Sequence, residues 1–304
     1  MRSTLYVPGD QPEKMAKALK SGADGIIFDL EDAVAPSSKG RARSTVAEFI
    51  RTQITRAPIA SAQMTEENRP ALLVRVNVGD AGIDDLRGLV PVCGAGLAAI
   101  YLPKISHVDE LRAVDFELAA LEVTAGLVAG VLGVVALLET AEGIFNARMI
   151  AGGPRVRRLA IGEADLSAEL GVELTGGSEH EMLSARSMLV LASAAAGIDP
   201  PVGPVSTDFR DLEALRASCE GLRRMGFRGR SCIHPAQVAV VNEVFTPTVA
   251  QLEKAERLVA NYDDALRAGE GVIVDDSGRM IDEAVVRSAR RIVAQRDVIR
   301  ATGP

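Results

Sequence analysis

The sequence contains no tryptophan and few aromatic residues, which make up 3% of its 304 positions. Cysteine is also scarce. Cys93, Cys219 and Cys232 are odd in number, far apart and never in a CxxC spacing. This pattern argues against a disulfide framework or a zinc site, and it suits a reducing cytoplasm. The three histidines show no metal-type spacing either, so the sequence predicts no metal site built from thiolates and imidazoles.

Long apolar runs and an excess of positive charge are absent as well. The most apolar stretch, "VTAGLVAGVLGVVALL" (123–138), is shorter than the roughly 18 residues that span a bilayer. The first residues, "MRSTLYVPGDQP", contain no apolar segment typical of a signal peptide. The net charge of −7 argues against a nucleic-acid partner. We therefore expect a cytoplasmic protein that binds neither membranes nor nucleic acids, although a local basic pocket for an anionic substrate is compatible with this charge.

Short apolar segments alternate with longer amphipathic ones along most of the chain. Six strand candidates are clear and two are weaker: 4–7, 25–30, 71–77, 98–104, 133–140 and 158–165, then 202–207 and 231–235. Continuous apolar strands between helices are typical of a parallel sheet covered on both faces. Eight such units predict an α/β fold, a (β/α)8 TIM barrel over residues 1–245. Residues 246–304 exceed what a barrel needs and predict a C-terminal helical extension.

A doubly wound open sheet is the alternative fold. Its most familiar use is the binding of dinucleotides, but the first turn, "VPGDQP", lacks the GxGxxG pattern of such a site. The barrel therefore remains our prediction.

Polar residues follow most of the predicted strands, at the end where barrel enzymes carry their active sites. They are Asp29, Glu31 and Asp32 after the second strand, Arg75 in the third, Lys104 after the fourth, Glu139 after the fifth, and Glu163 and Asp165 after the sixth. Each could instead cap a helix, and the two cations could simply neutralise the carboxylates of the second strand. A structural ion-pair cluster is thus an open alternative to a site.

The carboxylates outnumber the cations at these strand ends, which suggests a hard divalent cation. Mg²⁺ takes oxygen ligands, needs only one or two carboxylates and keeps several waters. Glu139 and Asp165 are the best pair, because they end adjacent strands. Arg75 would then bind a carbonyl oxygen or carboxylate of the substrate with its fork of donors. This combination suits chemistry through an enolate, in which negative charge builds on oxygen.

Several motifs occur in a characteristic order: "RSTLYVPGDQPEKMAKALKSGADGIIFDLEDAV", "LLVRVN", "LPK", "ALLETAEGI", "IGEADLSAELG", "TDFRDLEAL", "CIHPAQVAVVNEVFTP" and "GRMID". Together they resemble the β-subunit-like citrate lyase family (HpcH/HpaI aldolase/citrate lyase), the CoA-ester lyases that include malyl-CoA and citramalyl-CoA lyases. The resemblance covers nearly the whole chain. It implies a barrel, a homotrimer or a multiple of it, and Mg²⁺ as cofactor.

The reaction implied by this resemblance is a reversible carbon–carbon cleavage. A β-hydroxyacyl-CoA such as malyl-, citramalyl- or citryl-CoA gives an acyl-CoA and a 2-oxo acid. Two alternatives stay open: a metal-dependent aldolase on free 4-hydroxy-2-oxo acids, and a non-catalytic subunit of a larger lyase assembly.

The resemblance also assigns roles near the metal. Glu139 and Asp165 match the metal ligands, and Arg75 matches the arginine that polarises the oxo group. Backbone N–H groups from Gly162 onward would hold the carboxylate of the oxo acid, with Lys104 close by. The carboxylates Asp29, Glu31 and Asp32 would form the outer wall of the site and orient metal-bound water.

Other roles come from both ends of the chain. Asp282 in "MID" matches the acid/base residue, which neighbouring subunits of such lyases contribute; a helix N-cap is the alternative for it. Tyr6 and Lys17 would bind CoA, whereas Gln11 stands where relatives carry a basic residue. Arg43 could assist CoA binding or lie on a solvated helix face. His234 precedes a proline at a strand end and is expected to be structural.

Overall fold

The computed structural model describes residues 1–55, 69–174, 180–275 and 278–302. Eight of its strands form one parallel sheet in the order β7-β6-β5-β4-β3-β2-β1-β8. Their bounds are β1 Ser3–Pro8, β2 Gly25–Asp29, β3 Ala71–Arg75, β4 Ala99–Leu102, β5 Gly133–Leu138, β6 Val156–Ile161, β7 Asp199–Val202 and β8 Arg230–Cys232. A parallel bridge between Gly203 and Arg230 joins the two outer strands. The predicted (β/α)8 barrel is therefore confirmed.

Helices surround the strands. Their bounds are α1 Pro12–Ala18, α2 Lys39–Thr55, α3 Gly79–Cys93, α4 Val108–Thr124, α5 Ala141–Phe145, α6 Ala147–Ala151, α7 Glu163–Leu170, α8 Leu183–Ala196, α9 Leu212–Met225 and α10 Pro235–Phe245. Local sequence explains the ends of α9. The Asp211 carboxylate accepts the Ala214 N–H at 2.9 Å, and Gly226 stops the helix with a φ of 115°, a value that suits glycine.

The strands are buried on both faces, as their continuous apolar sequences predict. Alternate residues point to two separate clusters, because successive side chains of a strand face opposite ways. Ile27, Leu73 and Leu137 belong to the smaller cluster. Ile26 and Phe28 belong to the larger one, together with residues of the surrounding helices. This packing holds the carboxyl ends of the strands in a fixed ring.

One strand lies elsewhere than its sequence suggests. We expected the seventh strand at 202–207, but β7 is Asp199–Val202 and includes Pro200 and Pro201. Proline gives no N–H to a ladder and is confined to edges and irregular positions of a sheet. The pairing of β7 with β6 is irregular, and its link to β8 is the bridge at Gly203. The barrel therefore closes at β7, its least regular strand, and the apolar pattern of the sequence does not predict the position of such a strand well.

The described residues divide into two compact units, which separate between Phe245 and Thr246, except that Arg69 groups with the second unit. The second unit contains α11 Val249–Arg267, a hairpin of β9 Ile273–Val274 and β10 Met280–Ile281, and α12 Glu283–Thr302. Its own small core is formed by Tyr262, Ile281 and Val286. In neither unit is any described helix both long and apolar enough to cross a membrane.

Candidate active site

Arg75 is the cation that sits among the three carboxylates after β2. It ends β3 directly opposite Asp29, which ends β2. Its Nε and Nη2 donate to the two oxygens of Asp29 at 2.7 and 2.6 Å. Its Nη1 lies 2.8 Å from Glu31 Oε2 and donates to Asp32 Oδ2 at 3.2 Å. One guanidinium therefore relieves the repulsion among all three acids.

Asp29 also folds the loop that follows it. Its carboxylate accepts the backbone N–H groups of Glu31 at 2.9 Å and Ala33 at 3.1 Å. These bonds bend the chain sharply after β2, so that the next acids turn back toward Arg75. Burial raises the pKa of the Glu31 carboxyl, although Arg75 opposes the shift.

Tyr6 of β1 lies beside Arg75 at the mouth of the barrel. The Arg75 Cζ is 5.0 Å from the centroid of the Tyr6 ring, a distance typical of a cation–π contact. The ring of Tyr101 meets Tyr6 edge to face, with centroids 6.2 Å apart. Burial raises the pKa of the Tyr6 hydroxyl well above its usual value. The two rings thus form an apolar wall behind the guanidinium.

Lys104 follows β4 and bridges the acids on either side. Its φ of 54° is unusual for a residue other than glycine. Its backbone N–H donates to Glu139 Oε1 at 3.0 Å. Its Nζ lies 3.4 Å from Glu31 Oε1 and 3.7 Å from Asp165 Oδ1. Burial disfavours the ammonium, but the carboxylates around it raise the pKa of Lys104 overall.

Glu139 follows β5 and is only 3% exposed. Burial, and then the carboxylates of Glu31 and Asp165, raise the pKa of Glu139 to about 8. Gly162, which follows β6, allows this side chain its position: a Cβ at Gly162 would lie 2.6 Å from Glu139 Cβ. Any larger residue at 162 would displace the carboxylate.

The two acids at the start of α7 have different surroundings. The Glu163 carboxylate is buried and takes two bonds from Arg186 of α8, from Nε at 2.5 Å and Nη2 at 2.7 Å. Asp165 is about half exposed and faces Lys104. Arg186 was not found from the sequence, although a single cation in the mostly apolar segment "MLSARSMLV" is a usable signal. Because Glu163 is paired with Arg186, Asp165 is the one of these two acids that remains open to a ligand.

A cavity of about 410 Å³ opens between these strand ends. Several of the residues singled out from the sequence line it together, with apolar side chains beneath: Tyr6, Asp29, Asp32, Arg75, Glu139, Gly162 and Asp165, with Leu137, Ile161, Val205 and Ile233. Glu31 and Lys104 contact this set through the ion pairs described above. The structure therefore brings together the residues that the sequence assigned to the metal and the oxo acid.

Glu139 and Asp165 are the acids best suited to hold a metal. Among the described residues, no group of three or more His, Cys, Asp or Glu could hold a metal ion by itself. A cation here would depend on two carboxylates, water and substrate, which is how Mg²⁺ binds in many enzymes. Burial first, and then the carboxylates of Glu31 and Asp165, raise the pKa of Glu139, so a bound cation would favour its charged form. This donor set fits Mg²⁺.

The remaining sequence-based assignments lie apart from the cavity or have structural partners. Lys17 lies on the exposed face of α1. Arg43 does not lie on a solvated face; its Nε donates to the buried Asp85 carboxylate at 2.7 Å. His234 accepts the Ala236 N–H at 3.1 Å through Nδ1 and so stabilises the start of α10. In the second unit, Asp282 Oδ1 accepts the Val285 N–H at 3.1 Å, the geometry of an N-cap for α12.

A parallel (β/α)8 barrel whose mouth joins an arginine to a cluster of acids is the architecture of a TIM-barrel enzyme. The chain belongs to the HpcH/HpaI aldolase/citrate lyase family, whose model matches residues 2–235. The resemblance proposed from its motifs is thereby confirmed, and the chain is a member of a family of carbon–carbon lyases that act on CoA esters.

Individual relatives match over most of their length. A (3S)-malyl-CoA thioesterase of Cereibacter sphaeroides is 37% identical over 302 residues, with 99% of this chain and 96% of the relative covered. An L-malyl-CoA/beta-methylmalyl-CoA lyase of the same species is 33% identical over 323 residues, with 99% and 96% covered. The crystal structure of the protein CitE from Mycobacterium tuberculosis, in complex with magnesium, acetoacetate and coenzyme A, is 26% identical. It has a TM-score of 0.70 and covers 100% of both chains.

Proposed function

We propose that the protein is a Mg²⁺-dependent lyase that cleaves or forms a β-hydroxyacyl-CoA. Malyl-, citramalyl- and citryl-CoA are the candidate substrates, and the products are an acyl-CoA and a 2-oxo acid. The observation that carries this proposal is the convergence of Arg75, Glu139 and Asp165 on one cavity. The similarity to a malyl-CoA lyase and to a CitE structure that holds magnesium and coenzyme A supports it.

Glu139 and Asp165 are the residues that would hold Mg²⁺. When bound, the ion supplies Lewis-acid stabilisation for negative charge that develops on a substrate oxygen. Burial raises the pKa of Glu139 to about 8, so Glu139 must lose its proton to act as a ligand and Mg²⁺ binding near neutral pH would release a proton.

Arg75 keeps a donor for a substrate. A guanidinium carries five N–H groups. Asp29 takes two of them, and Nη1 faces both Glu31 and Asp32. The second N–H group of Nη2 would bind the oxo oxygen or carboxylate of the 2-oxo acid. Because Asp29 holds the guanidinium plane from one side, this donor is oriented before the substrate arrives.

Cleavage requires a proton transfer at each end of the broken bond. The hydroxyl of the β-hydroxyacyl-CoA would lose its proton to solvent and become the oxo group, while the electrons of the carbon–carbon bond pass to the thioester side and form an enolate. Asp282 of a neighbouring subunit, in its protonated form, would then protonate the enolate carbon to give the acyl-CoA, and in condensation its carboxylate removes the same proton. Backbone N–H groups from Gly162 onward would hold the carboxylate of the oxo acid, and Tyr6 and Lys17 would contact CoA. From the family resemblance we also propose a homotrimer or a multiple of it, and from the scarce, unpaired cysteines a cytoplasmic location.

Hydrolysis of malyl-CoA is the second candidate function, because the relatives that are 37% identical are thioesterases. Both reactions use the same substrate, and their products distinguish them. Lyase activity gives an acyl-CoA and a 2-oxo acid, whereas hydrolysis gives free CoA and a hydroxy acid.

A substrate panel tests both candidates. Purified protein with Mg²⁺ is incubated with malyl-, citramalyl-, citryl- and β-methylmalyl-CoA, and with free 4-hydroxy-2-oxo acids, and products are identified by mass. We expect an acyl-CoA from at least one thioester. Cleavage of the free acids alone would replace the proposal with an aldolase, and absence of turnover on every thioester would contradict it.

A further inference from the structure

We propose that Lys39 is a positioning residue for the candidate active site and that a partly buried chain of contacts holds it in place. The chain consists of Lys39, Asn77, Asp85 and Arg43, which we call the Lys39 network. This inference rests on the proposed function, because the loop that it concerns carries Glu31 to the site.

Lys39, the first residue of α2, binds the main chain of the loop after β2. Its Nζ donates to the carbonyl oxygens of Leu30 and Glu31, each at 3.0 Å, and to Asn77 Oδ1. An ammonium has three N–H groups, so all three are used by these partners. Lys39 therefore fixes the backbone of the loop. None of these three hydrogen bonds goes to a carboxylate.

Asn77 connects Lys39 to the strand that carries Arg75. It lies two residues beyond Arg75, and its backbone N–H and side-chain Nδ2 both donate to Asp85 Oδ2, at 2.9 and 2.7 Å. The other oxygen of Asp85, which is fully buried, accepts Arg43 Nε at 2.7 Å. The network thus joins the loop after β2 to the segment after β3.

Two glycines in helix α3 leave room for this network. Gly82, Asp85 and Gly88 follow one another at intervals of three residues, so they share a face of the helix. A Cβ at Gly82 would overlap the carbonyl oxygen of Asn77, and a Cβ at Gly88 would lie 2.5 Å from Arg43 Cδ. Glycine on both sides of the buried aspartate lets its two partners approach. This close packing supports the network independently of its hydrogen bonds.

The geometry of the site depends on what this network holds. Glu31 and Asp32 reach Arg75 Nη1 only while the loop keeps its present path. Without the tether to Lys39, the loop would keep its bonds to Asp29 and the bond from the Val34 N–H to the Glu31 carbonyl, and it would open more readily. When it opens, Arg75 loses two of its three acidic partners, and the charge balance around Glu139 changes.

Hydrogen exchange of the loop amides tests the inference without any assay of activity. Lys39→Met removes the three donors and keeps the length of the side chain. Arg41→Met, at an exposed position of the same helix, is the matched control. We expect exchange at residues 30–34 to become at least about 10-fold faster in Lys39→Met, with the interior of β1 and β2 still protected and the control unchanged. Unchanged exchange in the loop would overturn the inference.

A kinetic measurement separates positioning from stability. Lys39→Met should lower kcat by about 10- to 100-fold, the usual cost of losing a partner that orients an active-site ligand, while Arg41→Met stays at the wild-type value. Faster exchange throughout the barrel would instead assign Lys39 a general structural role and overturn the proposal. If Lys39→Met does not fold, Lys39→Arg replaces it in the exchange experiment; it keeps the charge, but its planar fork does not match three converging acceptors.

The two proposals fail in different ways. Wild-type protein that turns over no thioester contradicts the proposed function, whatever Lys39→Met does to the loop. Wild-type activity together with unchanged exchange and kcat in Lys39→Met contradicts this inference alone.

Discussion

Asp29 and Arg75 end neighbouring parallel strands at the same height and meet through two hydrogen bonds of 2.7 and 2.6 Å. The pair is buried and bidentate, and Arg75 uses its remaining edge for Glu31 and Asp32. Such an arrangement satisfies the buried charges and at the same time orients the second N–H group of Nη2, which remains for a substrate. It links the ends of two strands to the chemistry proposed for the site.

Arg75→Lys tests whether this orientation matters for turnover. Lysine keeps the charge but cannot hold Asp29 in a bidentate pair while it donates to a substrate. We expect kcat/KM to fall by at least about 100-fold, which corresponds to a loss of about 2.7 kcal/mol of transition-state stabilisation. Steady-state kinetics provide the measurement. Arg87→Lys, in the more exposed pair with Glu117, is the control; equal effects in both variants would argue against a special role for Arg75.

Glu139→Gln tests the metal site. The amide keeps the shape of the side chain but lacks the negative charge that Mg²⁺ requires. We expect Mg²⁺ binding, measured by calorimetry, to be lost or weakened by at least about 10-fold. Glu163→Gln should not remove a ligand, because Arg186 already occupies Glu163. Wild-type Mg²⁺ affinity in Glu139→Gln would show that this residue is not a ligand.

Gly162→Ala tests the close approach of the chain to Glu139. The new Cβ would lie 2.6 Å from Glu139 Cβ, so the carboxylate must move. We expect Mg²⁺ affinity to fall by about 10-fold or more. Gly221→Ala in α9 is the matched control, since the nearest atom to its added Cβ is 4.0 Å away. A Gly162→Ala protein that binds Mg²⁺ as the control does would contradict the packing argument.

Asp282→Asn separates the proposed acid/base role from the helix cap. Asparagine caps helices about as well as aspartate does, so α12 should remain intact, but its amide cannot accept and return the proton. We expect turnover to be abolished while binding of Mg²⁺ and of the 2-oxo acid persists. Circular dichroism checks the helix and calorimetry checks binding. Normal turnover in this variant would leave Asp282 with the role of a cap.

Asp24→Asn tests a buried ion pair far from the cavity through its pH dependence. Burial alone would raise the pKa of Asp24, but the hydrogen bonds from the Arg2 side chain and backbone outweigh it and lower the pKa. A lowered pKa stabilises the fold above the unfolded value of about 3.9, and this contribution disappears as pH falls through the folded pKa. We expect Asp24→Asn to lower the free energy of unfolding by about 1–3 kcal/mol at pH 7.

The difference between wild type and Asp24→Asn should narrow below about pH 4, because protonation then removes the charge from the wild-type aspartate too. Urea unfolding at several pH values measures it. Asp109→Asn, which breaks an exposed pair with Arg112, should change stability little at any pH. A difference that is constant down to pH 3 would show that charge is not the source of the effect.

Much of the fold could be predicted from local pattern. Six of the eight strands were recognisable as continuous apolar segments, and β5 begins at Gly133 as its sequence indicated. The seventh strand was placed too late, because Pro200 and Pro201 weaken the pattern of a strand that pairs irregularly. The acids and cations at the strand ends could be predicted to lie together, because parallel topology brings the carboxyl ends of all strands to one side.

The partners of these residues were decided by tertiary structure. Asp29 and Arg75 are 46 positions apart, Lys39 and Asn77 are 38 apart, and Glu163 and Arg186 are 23 apart. Periodicity reports only which side of its own strand or helix a residue faces. The sequence by itself determined the barrel, the family and the set of polar residues at its mouth. Only the tertiary structure decided which acid pairs with Arg75, which acid pairs with Arg186 and how Lys39 holds the loop. The physical reason is close packing between segments that are distant in sequence, because local patterns do not record such contacts.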